Sequence, residues 1–337
     1  MAGPLSADAP AGGTALPSRP AGRVLAGAAL RLGGLLARRA LLLAGLLAAV
    51  FAAVELLPGD AADATSERGE TAADTTRRRA LLGLDRPVAE RFLDWMTALP
   101  TGDLGTSARG ERVADLLAGP FPNTLLLGGL ALLLTVAVSV GLGCWAALRP
   151  GGAVDRTVSA TATGILALPE FVVAVALVLV FALWTGLLPA VTTADADGSP
   201  ATASMLVLPV LALAVPQIGW NTRIVRAALA DEAKAPHVET AVLDGLAPRR
   251  VLVHHLLPGA LPAIATGFAT STGMLLGGAV VVETVFNYPG IGAVLAGAVG
   301  DRDTPVIAGV VMVTGAVITC VLLLADLVRA RAAGGRI

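Results

Sequence analysis

Long apolar runs separated by polar segments are the dominant pattern of this chain. Each of six runs is long enough to cross a bilayer core of about 30 Å, which needs about 20 apolar residues in a helix. The pattern therefore predicts an all-α, polytopic membrane protein with six transmembrane helices. The predicted spans are Ala40–Leu57, Thr124–Leu148, Val158–Leu187, Met205–Val225, Leu261–Val282 and Val306–Val328.

The composition supports a membrane protein. The 337 residues are 55% hydrophobic and 15% charged, and the mean hydropathy is +0.77. Soluble domains carry about 25% charged residues. The net charge of -1 gives no argument for a nucleic-acid partner, and we expect none. The histidines all lie in one polar segment and the two cysteines lie in apolar runs, so we expect no metal site and no cofactor.

The spans divide the chain into five segments. A long polar stretch follows the first span, and within it Val88–Trp95 reads as a short amphipathic helix. The Ala/Gly/Pro-rich start of the chain shows no helical period, which is typical of disorder. The predicted segments are a disordered cytoplasmic tail over 1–35, the first transmembrane helix over 36–58, an external loop with short helices over 59–122, a core of five transmembrane helices over 123–330, and a cytoplasmic tail over 331–337.

Loop charges predict the orientation. Five arginines precede the first span, and arginines also follow the second, fourth and sixth spans. The 59–122 loop carries eight arginines as well, but loops longer than about 60 residues translocate largely regardless of charge. Positively charged short loops stay in the cytoplasm. Both termini are therefore expected to be cytoplasmic.

The polar segment 231–258, between the fourth and fifth spans, is the most informative part of the chain. Pro236 suits the first position of a helix, Gly245 suits the left-handed residue that ends one, and Pro248 prevents its continuation. We therefore predict a short helix from Pro236 to Asp244. Three of its residues are expected to share one face by their spacing: Val238, Ala241 and Val242.

This segment resembles the EAA loop of ABC importer permeases. The family pattern is Glu-Ala-Ala, three residues, Gly, nine residues, then Ile-x-Leu-Pro. Here Glu239-Thr240-Ala241 is followed at the same spacing by Gly245 and by His255-Leu256-Leu257-Pro258. The sequence departs from the pattern at Thr240 and His255, and Asp244 replaces a lysine that is common in this subfamily. These departures leave open the affinity for a given ATPase.

Further motifs resemble the dipeptide, oligopeptide and nickel permeases of that class. The resemblance covers about Leu41 to Val328, and it rests on the order and spacing of the motifs rather than on any one of them. The motifs are Leu56-Leu57-Pro58-Gly59-Asp60, Leu82-Gly83-Leu84-Asp85-Arg86-Pro87, Gly102-Asp103-Leu104-Gly105, Leu168-Pro169-Glu170-Phe171, Gly277–Phe286, Tyr288-Pro289-Gly290-Ile291-Gly292 and Asp303-Thr304-Pro305-Val306.

The resemblance implies a type I ABC importer permease fold, a location in a bacterial inner membrane, and a set of partners. These partners are two cytoplasmic ABC ATPase subunits, an external substrate-binding protein, a second homologous permease that would form a heterodimer, and membrane lipid. The resemblance assigns the ATPase-coupling loop to Glu239, Thr240, Ala241, Gly245, Leu257 and Pro258. In this role Glu239 gives a polar contact, Ala241 permits close packing against the ATPase, and Gly245 shapes the turn.

The implied function is import of peptides or related small solutes delivered by the binding protein. Nickel chelates or another small solute in the same family are the alternative cargo. A secondary transporter would place ion-coupling carboxylates in broken helices of two repeated halves, and the sequence shows no such repeat. The single lysine, Lys234, lies outside any G-x-x-x-x-G-K-[ST] motif, so ATP hydrolysis is assigned to partners and the chain is not expected to be an enzyme.

Glu170 lies inside the third span, next to Pro169. A carboxylate at membrane depth is costly and is a candidate for the translocation pathway, for example facing a peptide ammonium. The alternative is a structural hydrogen bond at a proline kink. Three further carboxylates lie near span ends, where interfacial or inter-subunit roles are expected: Glu55, Glu283 and Asp326.

Overall fold

The computed structural model describes residues 21–66, 70–196 and 198–334. Contacts divide the chain into two compact units, 1–45 and 46–337. Within the described residues, the regular structure is helical apart from two isolated β-bridges. The predicted all-α class is therefore confirmed.

Fourteen α-helices lie in the described residues. Two of them continue into wider π-helical turns, α8 over Val178–Trp184 and α11 over Leu252–Leu256. In chain order the helices are α1 Ala21–Glu55, α2 Ala61–Ala64, α3 Ala72–Leu81, α4 Val88–Ala98, α5 Val113–Ala118, α6 Pro120–Ala147, α7 Ala153–Leu166, α8 Glu170–Leu177, α9 Ser204–Glu232, α10 Pro236–Leu243, α11 Pro248–Val251, α12 Leu257–Phe286, α13 Ile291–Gly300 and α14 Thr304–Gly334.

Five helical segments among the described residues are long and apolar enough to cross a membrane. The third predicted span differs from these, because it is broken into α7 and α8, which meet at an angle of 100°. Proline cannot donate a backbone hydrogen bond and disfavours helix in the residue before it, so Pro169 explains the break. The predicted count of six is reached when this bent pair is counted as one span.

The predicted disordered tail over 1–35 is wrong from Ala21 onward. Helix α1 starts at Ala21, directly after Pro20, and continues without interruption to Glu55. Alanine and leucine make up most of this stretch, and both have high helix propensity. Residues 1–20 lie outside the described part of the chain. At the other end, α14 continues to Gly334, so the predicted tail over 331–337 begins inside a helix, and 335–337 are not described.

Helices α6, α9 and α12 pack together to form the centre of the molecule. Their shared core is buried and apolar, and it includes Leu127 and Leu213. Small residues let the helix backbones approach closely, as is usual between membrane helices. A Cβ on Gly143 of α6 would lie 2.5 Å from Val225 of α9, and one on Gly267 of α12 would lie 2.9 Å from Ile224.

Helices α2 to α5 form a cap that shares the core of the membrane helices. Val113 and Leu117 of α5 pack with Ile291 of α13 and with the start of α14. The Ala108 amide donates a 2.7 Å hydrogen bond to the buried carboxylate of Asp303. Burial raises the pKa of the Asp303 carboxyl, while this donated bond opposes the rise. The cap is thus fixed to the membrane helices by packing and by hydrogen bonds.

Glu283 has a different role from the interfacial one predicted for it. Its side chain is 1% exposed and lies inside the chain, between α12, α6 and α13. It accepts hydrogen bonds from the Thr124 hydroxyl at 2.5 Å and from the Gly292 amide at 2.6 Å. The carboxylate also lies against Gly290, where a Cβ would clash with it. The sequence could not show this, because the partners are brought together only by the fold.

Replacing Glu283 by alanine is expected to destabilise the protein strongly. The change would leave the Thr124 hydroxyl and the Gly292 amide buried without their acceptor, at a cost of about 2–4 kcal/mol for the two donors. Thermal unfolding of the purified protein in detergent measures this. Glu111→Ala is the control, since Glu111 is exposed on the cap. Equal melting temperatures for the two variants would contradict the structural role of Glu283.

Candidate coupling loop and membrane carboxylate

The segment between α9 and α12 folds as predicted around a short helix. Helix α10 starts at Pro236 and ends at Leu243, with Asp244 as its C-terminal cap. Gly245 then takes a left-handed conformation with φ +74°. The Leu246 amide donates back to the Ala241 carbonyl at 3.2 Å, which closes the helix end in the manner of a Schellman turn. The predicted stop signal at Gly245 is confirmed.

One face of α10 is buried against the rest of the loop. Val238 is 3% exposed and Ala241 is 4% exposed, and both pack with Val251 of α11. Ala241 was expected to face an ATPase subunit. In this arrangement the methyl group of Ala241 instead lies inside the small core of the loop. Val242 was predicted to share that face, but it is 58% exposed. Packing against α11 determines which face of α10 is buried, and the sequence of α10 alone does not determine that face.

The other face of α10 is open to solvent. Leu243 is 79% exposed, and Glu239, Thr240 and Val242 are exposed beside it. The Thr240 hydroxyl donates to the Pro236 carbonyl at 3.0 Å, so the departure from alanine at this position is satisfied locally. The family motif does not include Leu243. Its spacing of four residues from Glu239 nevertheless places Leu243 and Glu239 on one face of the helix.

Both ends of the loop are held to the membrane core. Leu257, at the start of α12, packs on the cluster formed by Val225 and Leu229 of α9. Pro258 follows at the first turn of α12, where its missing amide is not needed. The Glu232 carboxylate, at the end of α9, lies directly against Gly259, where there is no room for a Cβ. The loop therefore connects the ends of α9 and α12 where the two helices meet.

Glu170 lies in the first turn of α8, at the bend between α7 and α8. Its half-buried carboxylate lies against Gly278 of α12, at a point that a Cβ would occupy. The Gln217 amide of α9 is a second polar neighbour. The carboxylate is thus in contact with both α9 and α12.

A line of buried polar groups continues from Gln217 along α9. Asn221 is 1% exposed and donates to the Ser271 hydroxyl of α12 at 2.6 Å. Two buried amide oxygens, Gln217 Oε1 and Asn221 Oδ1, have no hydrogen-bond partner among the described residues. Buried polar atoms of this kind are usually paired, so the α9–α12 contact keeps capacity for a further donor.

A family profile matches the chain over residues 139–333, which is more than half of its length. Its description is "Binding-protein-dependent transport system inner membrane component". The chain belongs to this family. It is the membrane permease of an ABC importer, and the multi-pass helical architecture agrees with that assignment.

Curated relatives from three bacteria match most of the chain. A probable peptide ABC transporter permease protein of Sinorhizobium fredii is 33% identical, over 82% of this chain and 90% of the relative. The glutathione transport system permease protein of Pectobacterium atrosepticum is 34% identical, over 83% and 90%. The dipeptide transport system permease protein of Bacillus subtilis is 30% identical, over 82% and 88%.

One solved structure with the same fold is an inward-facing form of the MetNI methionine ABC transporter. It aligns with a TM-score of 0.51 and 20% identity, over 63% of this permease and 94% of that chain. At this identity the likeness concerns the fold alone. The predicted permease fold is confirmed by it.

Proposed function

We propose that this permease imports peptides, working as one of two membrane-spanning subunits. Three curated relatives that cover more than four-fifths of the chain carry names that refer to peptide, glutathione or dipeptide transport. The partners in this proposal are a second homologous permease, two cytoplasmic ATPase subunits and an external binding protein that delivers the peptide.

The solvent-exposed face of α10 is the proposed contact with an ATPase subunit. Leu243 on this short helix is 79% exposed, so most of its side chain is open to contact with a partner. Short amphipathic helices commonly insert such residues into a groove of a partner protein. The buried pair Val238 and Ala241 holds the helix from behind, so the exposed face is presented on a fixed support.

The loop then transmits movement of the ATPase subunits to the membrane core. Its first end continues into α9 and its second end continues into α12, and the Glu232–Gly259 contact holds these two ends together. A displacement of α10 therefore acts on both central helices at once. Alternating exposure of the pathway to the two sides of the membrane is the proposed consequence.

Two loop variants should uncouple transport from ATP hydrolysis. Leu243→Asp removes the apolar anchor without touching the buried loop core. Gly245→Val puts a β-branched residue at φ +74°, which costs about 1–2 kcal/mol although the space beside it is open. Both variants are expected to lose most of the stimulation of ATP hydrolysis by peptide-loaded binding protein, measured on the purified complex.

The chain offers a matched control for each variant. Leu81→Asp changes a leucine with the same 79% exposure on the cap, and Gly245→Asn introduces a residue that tolerates the left-handed conformation. Both controls should keep the stimulation. Normal stimulation in Leu243→Asp and Gly245→Val would show that the loop is not the transmission element.

Glu170 is the proposed polar contact on the translocation pathway. The support is its position at a break in the third span, against Gly278, together with the unpaired amide oxygen of Gln217 next to it. A carboxylate there would attract the ammonium group of a passing peptide. Membrane-depth carboxylates are commonly placed at such sites because their desolvation is costly.

Glu170→Gln is therefore expected to slow peptide uptake several-fold while the protein still assembles. Glutamine has nearly the same shape, so packing against Gly278 should persist while the charge is lost. Initial uptake rates of a labelled dipeptide into proteoliposomes containing the complete transporter give the comparison, with Glu111→Gln on the cap as the control. Unchanged uptake kinetics would leave Glu170 with a structural role only.

The proposed orientation places both termini and α10 in the cytoplasm and the cap outside. Its support is the excess of arginine in the short loops on the α10 side. A single cysteine substituted for the exposed Lys234 should be unreactive to an impermeant maleimide in intact cells, whereas one at exposed Leu81 should react. Labelling at position 234 from outside would reverse the assignment.

A further inference from the structure

The cap contains two adjoining cavities whose residues the coupling loop and the membrane carboxylate do not involve. Their volumes are about 210 Å³ and about 300 Å³. Both lie where the cap meets the end of α1 and the segment between α13 and α14. Five residues line both cavities and so form the boundary between them: Ala61, Leu84, Arg91, Arg302 and Thr304.

The two cavities differ in character. The smaller one has an apolar wall that contains Phe51, Trp95 and Pro305, with the rings of Phe51 and Trp95 5.6 Å apart. The larger one is lined mainly by charged side chains from α1, from the cap and from the α13–α14 segment. An apolar compartment next to a charged one is suited to a small amphipathic ligand.

Most charges in the larger cavity are already paired. Arg79 forms an ion pair with Asp60 at 2.9 Å, and Arg91 forms one with Glu55 at 2.6 Å. Arg302 and Asp63 also line this cavity, and neither side chain has an ion pair among the described residues. The buried Nε of Arg302 has no hydrogen-bond partner there either. One cation and one anion are therefore free to bind a ligand.

The backbone at Arg302 has a conformation that is uncommon for a residue with a side chain. Helix α13 ends here in a Schellman turn, with the Asp303 amide donating to the Ala298 carbonyl at 2.8 Å. That turn requires a left-handed residue, and Arg302 supplies it with φ +53°. Glycine is the usual choice, because residues with a Cβ disfavour this conformation. An arginine is tolerated at a cost here, so its side chain is expected to compensate for the strain.

The guanidinium of Arg302 and the carboxylate of Asp63 approach the same glycine. Arg302 Cζ lies 3.8 Å and Asp63 Oδ2 lies 3.7 Å from the position that a Cβ on Gly59 would take. Gly59 has φ +81°, a backbone conformation that favours glycine. The two charges thus lie near one glycine in the larger cavity, and Arg302 also borders the apolar one.

We propose that these cavities form a binding site for a short zwitterionic peptide with an apolar side chain. Its terminal carboxylate would accept hydrogen bonds from Arg302, its ammonium would face Asp63, and its side chain would enter the compartment beside Trp95. The site would be additional to the membrane pathway. The choice of a peptide rests on the proposed function, whereas the site itself rests on the unpaired charges and the cavities.

Calorimetric titration of the full-length chain in lipid nanodiscs tests the proposal, with leucyl-leucine as the probe. We expect saturable binding to the wild type. Arg302→Asn should weaken it about tenfold or more, as expected for loss of a charge-assisted hydrogen bond. Asparagine tolerates the left-handed backbone, so the fold should persist. Arg112→Asn is the control, since Arg112 is exposed and lines neither cavity.

A change in the ligand gives the same test without a change in the protein. Leucyl-leucine amide lacks the carboxylate, so it should bind the wild type about tenfold more weakly and lose little further affinity in Arg302→Asn. Absence of saturable binding, equal affinity of the dipeptide and its amide, or full affinity in Arg302→Asn would overturn the proposal. No ATPase subunit or binding protein takes part, so a negative result leaves the coupling proposal unaffected.

Discussion

Close packing of α6, α9 and α12 is the constraint on which the rest of the structure depends. In a lipid bilayer the hydrophobic effect gives little driving force for helices to associate. Association therefore depends on close packing and on hydrogen bonds between the helices. Glycines at 143 and 267 remove the side chains that would hold α9 away from its neighbours. Close approach also lets buried polar groups form hydrogen bonds between helices, as Asn221 does with Ser271. Such bonds are needed because the lipid core offers no hydrogen-bond partners.

This arrangement supports the proposed role of the loop in coupling. Helices α9 and α12 are central, and the segment that joins them carries the exposed face of α10. Helix α12 extends for 30 residues, about 45 Å, from the loop to the left-handed cap at Asn287. At its far end, Glu283 binds α6 through Thr124 and the start of α13 through Gly292. These hydrogen bonds would therefore resist a displacement of α12 that begins at its loop end.

Local signals predicted much of this architecture. Apolar runs located the long helices, and Pro236 with Gly245 located α10, because both residues act on the backbone at their own positions. The face of α10 that is buried could not be found this way, since Val251 and the rest of α11 decide it. Glu283 was misplaced for the same reason: its hydroxyl donor is 159 residues away in the chain. Residues 21–35 were predicted to be disordered because their composition resembles that of the proline-rich stretch before them.

The hydrogen bonds at the far end of α12 favour movement of the core as a unit. Independent sliding of α12 past α6 would break the buried hydrogen bond from Thr124 to Glu283 and would leave the carboxylate with the Gly292 amide as its remaining donor. A rotation that keeps the bond avoids this loss, which is costly because buried polar groups are disfavoured without their hydrogen bonds. The cap follows the same group of helices, since Asp303 ties it to the start of α14. The hydrogen bond therefore favours rotation of α6 and α12 together over sliding between them.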